Sequence, residues 1–361
     1  MAAPAIILTL NSGSSSLKFA VFENRGRTVR ELARGSVAGT RSKLETVLDA
    51  LAQRGLPAPT RVGHRLVHGG PHHLAHARLT PRVQADLQAA VPFAPLHLPA
   101  ELALIDAVAK RFPALPQYVC FDTAFHAALP ERARRLPLPE AMVKGGVHRY
   151  GFHGLSYEYL VHTLGARKLG RAVLAHLGNG ASLAAVRDGR PVDTTMGFTP
   201  AGGIMMGTRP GDLDPGVIVH WLRRSRGSAA RLEKIITHES GLRAVSGTTG
   251  DMEALLACRR RDPRARLAVE MFCYQVRQRI GALAAALGGI DTLVFTGGIG
   301  EHAAEIRREI CADLGHLGIR IDGSLNRRSA PVISPSASRC LVRVTPTDED
   351  RMIARHVAHL D

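Results

Sequence analysis

Two loops of small residues have the composition of phosphate-binding turns. Residues 11–18 read Asn-Ser-Gly-Ser-Ser-Ser-Leu-Lys, and residues 176–182 read His-Leu-Gly-Asn-Gly-Ala-Ser. Such turns expose backbone N–H groups and hydroxyls to phosphate oxygens, and Lys18 adds a positive charge. We therefore predict phosphate contacts at Ser14, Ser16 and Lys18, with a solvated hairpin tip as the alternative. The second loop alone predicts only a turn, but beside the first it indicates a second phosphate-contacting hairpin.

A third loop, residues 296–303, follows a predicted strand, opens a helix and contains the pattern G-x-G-x-x-A from Gly298 to Ala303. This is the dinucleotide-binding fingerprint, and Asp322 lies at about the right separation to bind a ribose hydroxyl. The pattern therefore supports an NAD-dependent oxidoreductase as one hypothesis. No βαβαβ unit is completed after it, so a nucleotide whose sugar and base pack on the glycines explains the loop equally well.

Four charged or titratable side chains lie in predicted loops, where packing does not explain them: Arg65, Asp122, His153 and Arg209. Asp122 follows an apolar run, and its alternative role is to cap a helix that begins at Thr123. His153 lies between glycines, which bring the backbone close to a neighbouring group. Each of the four, taken alone, is more typical of a structural or solvated residue than of a catalytic one.

Several common site motifs are excluded. Four nearby histidines suggest a metal site, but Gly69-Gly70-Pro71 interrupts any helical face and no acidic residue or cysteine of the segment completes a ligand set. We therefore predict a solvated loop around these histidines, which are His68, His72, His73 and His76. The chain also lacks the G-x-x-x-x-G-K-[ST] loop and the H-R-D and D-F-G segments of protein kinases, so both classes are disfavoured.

The elements that must position these residues alternate between strands and helices, which predicts a layered α/β architecture. Apolar runs bounded by turn residues predict strands at Ile6–Leu10, Leu17–Phe22, Tyr118–Phe121, Ala172–Leu177, Leu183–Arg187, Leu293–Thr296 and Cys340–Val344. Apolar spacings of three and four predict helices at Ser42–Arg54, Pro81–Ala90, Ala100–Lys110, Ser156–Leu164, Gly216–Arg224, Arg264–Leu287 and Glu301–Leu314.

An internal similarity raises the question of a duplication. Residues 8–22 and 174–188 both read strand, turn, strand, and Leu17 aligns with Leu183 in an ungapped comparison. Chance similarity between two hairpins explains this as well as duplication does. A duplication would place a boundary near residue 125 and a ligand in the cleft between the halves.

Composition bounds the class of protein. The 361 residues are 45% apolar and 22% charged, enough for one large domain or two ordinary ones. The net charge of +16 suggests nucleic acid as a partner, but the arginines are scattered and aromatic residues make up only 4%, so a nucleic-acid-binding protein is the weaker hypothesis. Five cysteines without C-x-x-C spacing, no signal peptide and no membrane span favour a soluble cytoplasmic protein.

Ten segments, taken in order, resemble motifs of the acetate kinase family, and the resemblance extends over nearly the whole chain. They are LTLNSGSSSLKF, GHRLVHGG, PLHLPAELALI, FDTAFH, RYGFHGLSY, HLGNGASLAAV, DTTMGFTPAGGIMMGTRPGDLDPG, VSGTTGDM, FTGGIGEH and TPTDEDRMIA. The resemblance implies a duplicated ribonuclease-H-like α/β fold of the sugar-kinase, Hsp70 and actin type, with two domains around a nucleotide cleft. An N-terminal domain of residues 1–125 plus 350–361 and a C-terminal domain of residues 126–349 are expected.

The resemblance also implies roles for individual residues. ATP or ADP is expected to contact Lys18, Ser14, Ser16, His176, Leu177, Gly178, Asn179, Gly180, Asp251, Met252, Glu253, Gly298, Ile299, Gly300, Glu301 and His302. Asn11 and Glu349 match the Mg²⁺ positions, with Mn²⁺ as the alternative metal. Arg65 matches the arginine that binds the substrate carboxylate, while Asp122, His153 and Arg209 match the catalytic group. The acyl pocket is expected to consist of Val67, Leu96, Phe152 and Pro200.

The implied activity is reversible phosphoryl transfer from ATP to acetate, by direct attack of the carboxylate, in a homodimer. A carboxylate is ionised at pH 7, so the barrier is chiefly repulsion between two anions, and Asp122 is expected to orient an arginine or a metal-bound water. Branched Val67 favours acetate over propionate. Glu253 and His302 depart from the family's arginine and asparagine, which leaves another phosphoryl donor or short-chain acid as the alternative.

Overall fold

The computed structural model describes residues 5–12, 16–26, 28–38, 43–225 and 228–360. The strands within these residues are β1 (Ile6–Ser12), β2 (Ser16–Arg25), β3 (Thr28–Ala38), β4 (Arg61–Leu66), β5 (Ala77–Arg78), β6 (Gln117–Phe121), β7 (Arg171–Leu177), β8 (Ala181–Arg187), β9 (Arg190–Thr194), β10 (Thr292–Thr296) and β11 (Leu341–Val344).

The helices in the described part of the chain are α1 (Lys43–Gln53), α2 (Pro81–Ala89), α3 (Leu98–Arg111), α4 (Glu131–Arg134), α5 (Glu140–Lys144), α6 (Gly154–Leu164), α7 (Ala166–Leu169), α8 (Pro215–Ser225), α9 (Ala229–Lys234), α10 (Gly241–Ser246), α11 (Met252–Cys258), α12 (Pro263–Leu287), α13 (Gly297–His302), α14 (Ala304–Cys311), α15 (Gly323–Arg327) and α16 (Glu349–His359). Among these residues no helix combines the length and the apolar composition that crossing a membrane requires.

Two mixed sheets repeat one strand order. The first is β3-β2-β1-β4-β6-β5, and the second is β9-β8-β7-β10-β11. In the first sheet β3, β2 and β1 are mutually antiparallel neighbours, and β4 and β6 run parallel to β1. In the second sheet β9, β8 and β7 are antiparallel neighbours in the same way, and β10 and β11 run parallel to β7. This repetition is what a duplicated chain predicts. The two hairpins differ in length, however: Ser12 pairs with Leu17 and Leu177 with Ala181, so an ungapped alignment shifts by one residue across the turn.

Each sheet belongs to a compact unit. The first unit comprises residues 1–127, 153–159 and 348–361, and the second comprises residues 128–152 and 160–347. Residues 153–159, which include the first turns of α6, therefore belong to the first unit, although the residues on either side of them in the chain belong to the second.

The core of the first unit explains where α16 lies. Successive residues of β1 are buried on both faces of the sheet: Leu8 and Leu10 pack with α1, and Ile7 packs with Ile353 of α16. Gly63 of β4 allows the helix to approach, since an added Cβ would lie 2.5 Å from the Ile353 side chain. The first turn of α16 is thereby held over the end of β1.

The seven predicted strands are all present, and the predicted helices correspond to α1, α2, α3, α6, α8 and α12. Ser42, the first residue of the first predicted helix, lies outside the described residues. The helix predicted at Glu301–Leu314 is confirmed only in part, as α14: α13 already begins at Gly297, and Ala303, with a non-helical ψ of 81°, separates the two helices. The sequence patterns missed β3 and β4 because arginine and histidine interrupt their apolar periodicity, and they missed α16 altogether.

Candidate active site

The ends of three strands bring the first group of predicted site residues together. Asn11 of β1 lies beside Arg65 of β4, and the backbone N–H of Asp122, just after β6, donates to the carbonyl of Leu66 at 3.0 Å. Because these three strands are parallel, their carboxyl ends share one edge of the sheet, the usual place for ligands in α/β folds. Asn11, Arg65 and Asp122 therefore lie at one edge although they are far apart in sequence.

Arg65 and Asp122 form a buried ion pair at this edge, with Asp122 only 1% exposed. Asp122 therefore does not cap a helix at Thr123, and the segment continues as a 3-10 turn over Ala124–Ala128. Burial raises the pKa of Asp122 to about 6, while Arg65 opposes the rise and Glu349 adds to it. At neutral pH the carboxylate is thus ionised, and it holds the guanidinium in place.

Glu101 is a third charged group at this site, and the sequence analysis did not single it out. It lies in the first turn of α3 and is 3% exposed; its Oε2 accepts the N–H of Val67 at 3.1 Å, and its Oε1 lies 3.9 Å from Arg65. Burial raises its pKa to about 7, although Arg65 and the Val67 N–H lower it. The sequence could have revealed this residue, since the spacing places an acidic Glu101 on the same apolar face of α3 as Leu98 and Leu102.

The net effect on Arg65 is a firmly charged cation. Burial by itself lowers the pKa of the guanidinium, but the carboxylates of Asp122, Glu101 and Glu349 raise it above its ordinary value.

The two predicted metal ligands lie together. The amide nitrogen of Asn11 donates to Glu349 Oε2 at 3.0 Å, and the negative charge of Glu349 acts on nearby Asp122. Asp122 Oδ1 is buried and has no hydrogen-bond partner among the described residues. Carboxylate and amide oxygens are the ligands that Mg²⁺ prefers, so the residues at this edge fit that ion.

The part of the predicted phosphate loop that the structure describes on β2 includes Ser16 and Lys18. Lys18 is directly opposite Asn11 across the β1–β2 pair, and its side chain is exposed, while Ser16 is half-buried at the start of β2. Opposite residues of an antiparallel pair present their side chains on the same face. Ser14 lies outside the described residues.

His153 has an unusual backbone that ties it to Asp122. Its φ of 58° lies in the left-handed region, which costs about 1–3 kcal/mol for a residue other than glycine. The next N–H, of Gly154, donates to the Asp122 carbonyl at 2.9 Å. A Cβ at Gly154 would lie 2.2 Å from that carbonyl oxygen, so only glycine permits the contact.

A second group of predicted residues lies in the second unit. The N–H of Gly207 donates to the carbonyl of Asn179 at 3.1 Å, and a Cβ at Gly207 would lie 2.1 Å from Asn179 Oδ1. The same segment turns back at Arg209, whose carbonyl accepts the Met206 N–H at 2.9 Å. The Arg209 guanidinium donates to the Pro200 carbonyl at 2.7 Å. The HLGNG loop and Arg209 are therefore parts of one packed loop cluster.

The GGIGE loop is held against the end of β7. Gly297 has a φ of 76°, and an added Cβ would lie 2.7 Å from the Leu177 carbonyl oxygen. The Glu301 carboxylate accepts the N–H of Gly297 at 2.9 Å and that of Thr347 at 3.3 Å. Glu301 thus stabilises the loop through its side chain.

Arg307, which the sequence did not mark as a site residue, holds the GGIGE loop through its side chain. Its guanidinium is completely buried and donates to the carbonyls of Gly300 and Glu301 at 2.8 and 2.9 Å and to Asn326 Oδ1 at 2.8 Å. Its signal in the sequence was weak, because arginine is common throughout this chain.

Two acidic residues linked to nucleotide binding act as helix caps. Asp322, the expected partner of a dinucleotide ribose, accepts the N–H groups of Ser324 and Leu325 at 2.8 Å. Asp251 accepts the Ala254 N–H at 2.8 Å at the start of α11. In the same helix Met252 is buried and Glu253 is exposed.

The four predicted pocket residues are divided between the units. Val67 is 4% exposed and Leu96 is 43% exposed in the first unit, whereas Phe152 is buried and Pro200 half-buried in the second. Their grouping into one acyl pocket remains a prediction.

The prediction of a solvated histidine loop is wrong for three of its four residues, since only His72 is exposed. His68 is buried and accepts the Gly70 N–H at 2.7 Å, His73 contacts Asp86 at 3.1 Å, and His76 contacts Glu158 at 3.3 Å. These partners explain the burial, because a buried imidazole requires hydrogen bonds. Acidic residues from elsewhere in the chain supply two of them, which the local sequence did not show.

Comparison with known proteins decides the family. A model described as the Acetokinase family matches residues 33–355. The chain belongs to the acetokinase family. This confirms the resemblance carried by the ten motifs.

Curated and solved relatives of this acetokinase agree. Proteins named acetate kinase from Rhodopseudomonas palustris and Nitrobacter hamburgensis are 44% and 42% identical to it, with 98% of this chain covered and 98% and 96% of theirs. A crystal structure of Porphyromonas gingivalis acetate kinase gives a TM-score of 0.85 at 35% identity, covering 99% of both chains. A propionate kinase from Francisella tularensis gives 0.88 at 32%, covering 97% of this chain and 98% of its own. The predicted fold class is confirmed.

Proposed function

We propose that this acetokinase is an acetate kinase that transfers the γ-phosphoryl group of ATP to acetate, forming acetyl phosphate and ADP, and that also runs in reverse. The observation that carries the proposal is the ion pair of Arg65 and Asp122 at the sheet edge, beside Asn11 and Glu349. A fixed guanidinium is the group that binds a small carboxylate best, and the acidic and amide oxygens beside it suit a metal–nucleotide.

The reaction needs no base. One carboxylate oxygen of acetate attacks the γ-phosphorus, the bond from that phosphorus to the β–γ bridging oxygen breaks, and the electron pair leaves on ADP. Since carboxylic acids are ionised at neutral pH, no proton has to be removed. The residues therefore act by placing the reactants in line and by reducing repulsion between two anions.

In this proposal Arg65 binds the acetate carboxylate, and Asp122 orients Arg65 rather than removing a proton. His153 and Arg209 donate to the transferring phosphoryl group. Removing one such donor commonly costs about 100-fold or more in turnover. The strained backbone of His153 supports its role because it fixes where that side chain begins, and the bond to the Pro200 carbonyl supports the role of Arg209 because it holds the guanidinium itself.

The nucleotide is assigned to Lys18, to the serines of the first loop, and to the loops at 176–180, 251–253 and 298–302. Mg²⁺, when bound, reduces the negative charge on the phosphate oxygens, and Asn11 and Glu349 would hold it. Glu253 and His302 are both exposed, so a panel of ATP, GTP and CTP tests the donor preference.

The decisive experiment incubates the protein with ATP, Mg²⁺, acetate and hydroxylamine and measures acetohydroxamate. Propionate is expected to react with a kcat/KM about 10-fold or more lower, because one methylene in an apolar pocket is worth about 1–3 kcal/mol. Absence of hydroxamate with acetate, propionate and butyrate would overturn the proposal. A rise in melting temperature with NAD but not with ADP would instead favour an oxidoreductase.

We further propose a cytoplasmic homodimer. Helix α8 exposes apolar side chains, with Val217 52%, Val219 44% and Leu222 38% exposed, and Tyr274 of α12 is 58% exposed. Exposed apolar groups on a helix are typical of subunit interfaces. Light scattering after size exclusion should give twice the 38.8 kDa chain mass; a monomer that is unchanged across concentrations would contradict the dimer.

A further inference from the structure

Three side chains from separate segments of the first unit meet around one carboxylate oxygen, and none of them belongs to the residues assigned above. Glu158 Oε2, on α6, lies 3.3 Å from His76 Nε2 and 2.7 Å from His356 Nε2, on α16. The two imidazole centroids are 3.9 Å apart. The side chains of His76, Glu158 and His356 are 9%, 17% and 24% exposed. We call these three residues the Glu158 hub.

The protonation of the hub follows from a backbone contact. The N–H of Phe121 donates to His76 Nδ1 at 3.1 Å. The lone pair of Nδ1 is therefore in use, and the proton of a neutral ring lies on Nε2, where it donates to Glu158. Burial opposes ionisation of Glu158, but the N–H groups of His356 and His76 lower its pKa to about 2. Glu158 is thus a carboxylate that accepts two N–H donors on one oxygen.

The same three residues have the composition of a two-histidine, one-carboxylate metal site, and their ligand atoms lie within 4.8 Å of one another. A metal on His76 Nε2, however, would need the lone pair of that nitrogen and a proton on Nδ1. Metal-bound histidines normally donate that second N–H to an acceptor. Here Nδ1 faces a donor, so the geometry favours a hydrogen-bonded hub.

The hub joins three segments that carry site residues. His76 holds the backbone of Phe121, the residue before Asp122. Glu158 lies one turn into α6, which begins directly after His153, and His356 lies seven residues beyond Glu349, on the same face of α16. We propose that Glu158 is a positioning residue that, through His76 and His356, fixes the placement of Asp122, His153 and Glu349. This inference rests on the proposed function of that site.

The main test compares Glu158→Leu with Glu158→Gln. Leucine removes the acceptor and releases both histidines, so we expect kcat for acetyl phosphate formation to fall about 10- to 100-fold, as is usual when a supporting hydrogen bond is lost. Glutamine keeps a carbonyl oxygen that accepts both N–H groups, so it should restore most of kcat. A structural role alone predicts no such rescue between two variants of equal melting temperature.

A second pair of variants, at His356, keeps the proposal testable if Glu158→Leu does not fold. His356→Gln keeps an N–H donor toward Glu158, whereas His356→Leu does not, so kcat should fall only in the latter. His359→Leu, an exposed histidine on the same helix, is the matched control and should retain wild-type kcat. Wild-type kcat in both leucine variants of the hub would overturn the proposal. An equal loss of kcat in Glu158→Leu and Glu158→Gln would also overturn it. If the wild type contains stoichiometric zinc and Glu158→Gln does not, the three residues form a metal site instead.

Two measurements remain informative if the wild type makes no acetyl phosphate. The ¹⁵N chemical shifts of His76 should show a protonated Nε2 and an unprotonated Nδ1; the opposite tautomer overturns the hub. Hydrogen exchange should be faster for the Phe121 amide in Glu158→Leu than in His359→Leu, and equal rates overturn it. Failure of the kinase assay with these two results intact would count against the proposed function alone.

Discussion

The two sheets share a strand order but present different chemistry at their carboxyl edges. The first edge presents charged side chains, with the Arg65–Asp122 pair beside Asn11 and Glu349. At the second, glycine loops pack so closely that backbone groups dominate, as at Gly207 and Gly297. One topology therefore presents two kinds of surface, with charged side chains at the first edge and closely packed backbone at the second. We propose that the first edge binds the small carboxylate and the metal, and that the second binds the nucleotide.

Removal of the cation at the first edge should impair the reaction most. Arg65→Ala is expected to lower kcat/KM for acetate about 1000-fold, because the substrate loses its charge partner and Asp122 stays buried without one. Arg65→Lys should recover part of the lost kcat/KM, since a lysine keeps the positive charge but not the paired N–H donors of the guanidinium. Steady-state kinetics on both variants, with exposed Arg190→Ala as the control, checks it. A KM and kcat near wild type for Arg65→Ala would contradict the assignment.

A glycine on the first edge is expected to matter almost as much. Gly154→Ala would push a methyl group to 2.2 Å from the Asp122 carbonyl oxygen and displace His153. Displacement of a reacting group by about 1 Å costs on the order of 100-fold in kcat. Gly281→Ala, where nothing lies within 4 Å of the new Cβ, is the matched control. Equal kinetics of the two variants would show that the approach to Asp122 is not required.

One buried histidine of the first unit opposes folding as the pH falls. His64 of β4 is fully buried, with Nε2 2.7 Å from Gln117, whereas β10 of the second sheet contains no histidine. Burial lowers the pKa of His64 to about 4. The unfolded chain takes up this proton near pH 6.5, so the contribution of His64 to the free energy of unfolding falls as the pH drops from 6.5 toward 4, by about 2 kcal/mol at pH 5. Asp122 and Glu101, whose pKa values are raised, act in the opposite direction, so the effect of His64 is measured as a difference between two proteins.

Urea unfolding followed by circular dichroism at pH 7.5 and pH 5 measures this loss. His64→Gln should be less stable at pH 7.5 but should lose about 2 kcal/mol less on acidification. An identical loss in both proteins would rule out His64 as the cause.

The smallest change is predicted for Glu101, which lies 3.9 Å from the same Arg65 that we propose binds the acetate carboxylate. Its pKa of about 7 means that it is mostly ionised at pH 8 and mostly protonated at pH 6. Glu101→Gln keeps an acceptor for the Val67 N–H but removes the competing charge. The acetate KM should therefore fall by about 3- to 10-fold at pH 8, where about 1 kcal/mol of competition is removed, and change little at pH 6. Glu45→Gln on the surface is the control, and a pH-independent ratio would argue against competition.

The sequence predicted the glycine loops, the site residues Arg65 and Asp122, and most strands. Each of these features depends on a short stretch of sequence. Periodicity identified β1, β7 and β10, and ordered motifs identified the family. The start of the helix predicted at Glu301–Leu314 was wrong because the start of α13 depends on Gly297 packing against Leu177, a contact between distant residues. Glu101 was missed because its partners, Arg65 and Val67, lie more than 30 residues away.

The family, the loops of small residues and seven of the strands could be recognised in the sequence. Which charges meet depends on tertiary packing. The Thr9 hydroxyl donates to Asp350 across 341 positions, Asn11 contacts Glu349 across 338, and Glu158 accepts from His356 across 198. The physical reason is that local composition sets backbone conformation within a few residues, whereas the pairing of buried charges depends on which faces pack together. That packing places His76, from a loop predicted to be solvated, in the Glu158 hub.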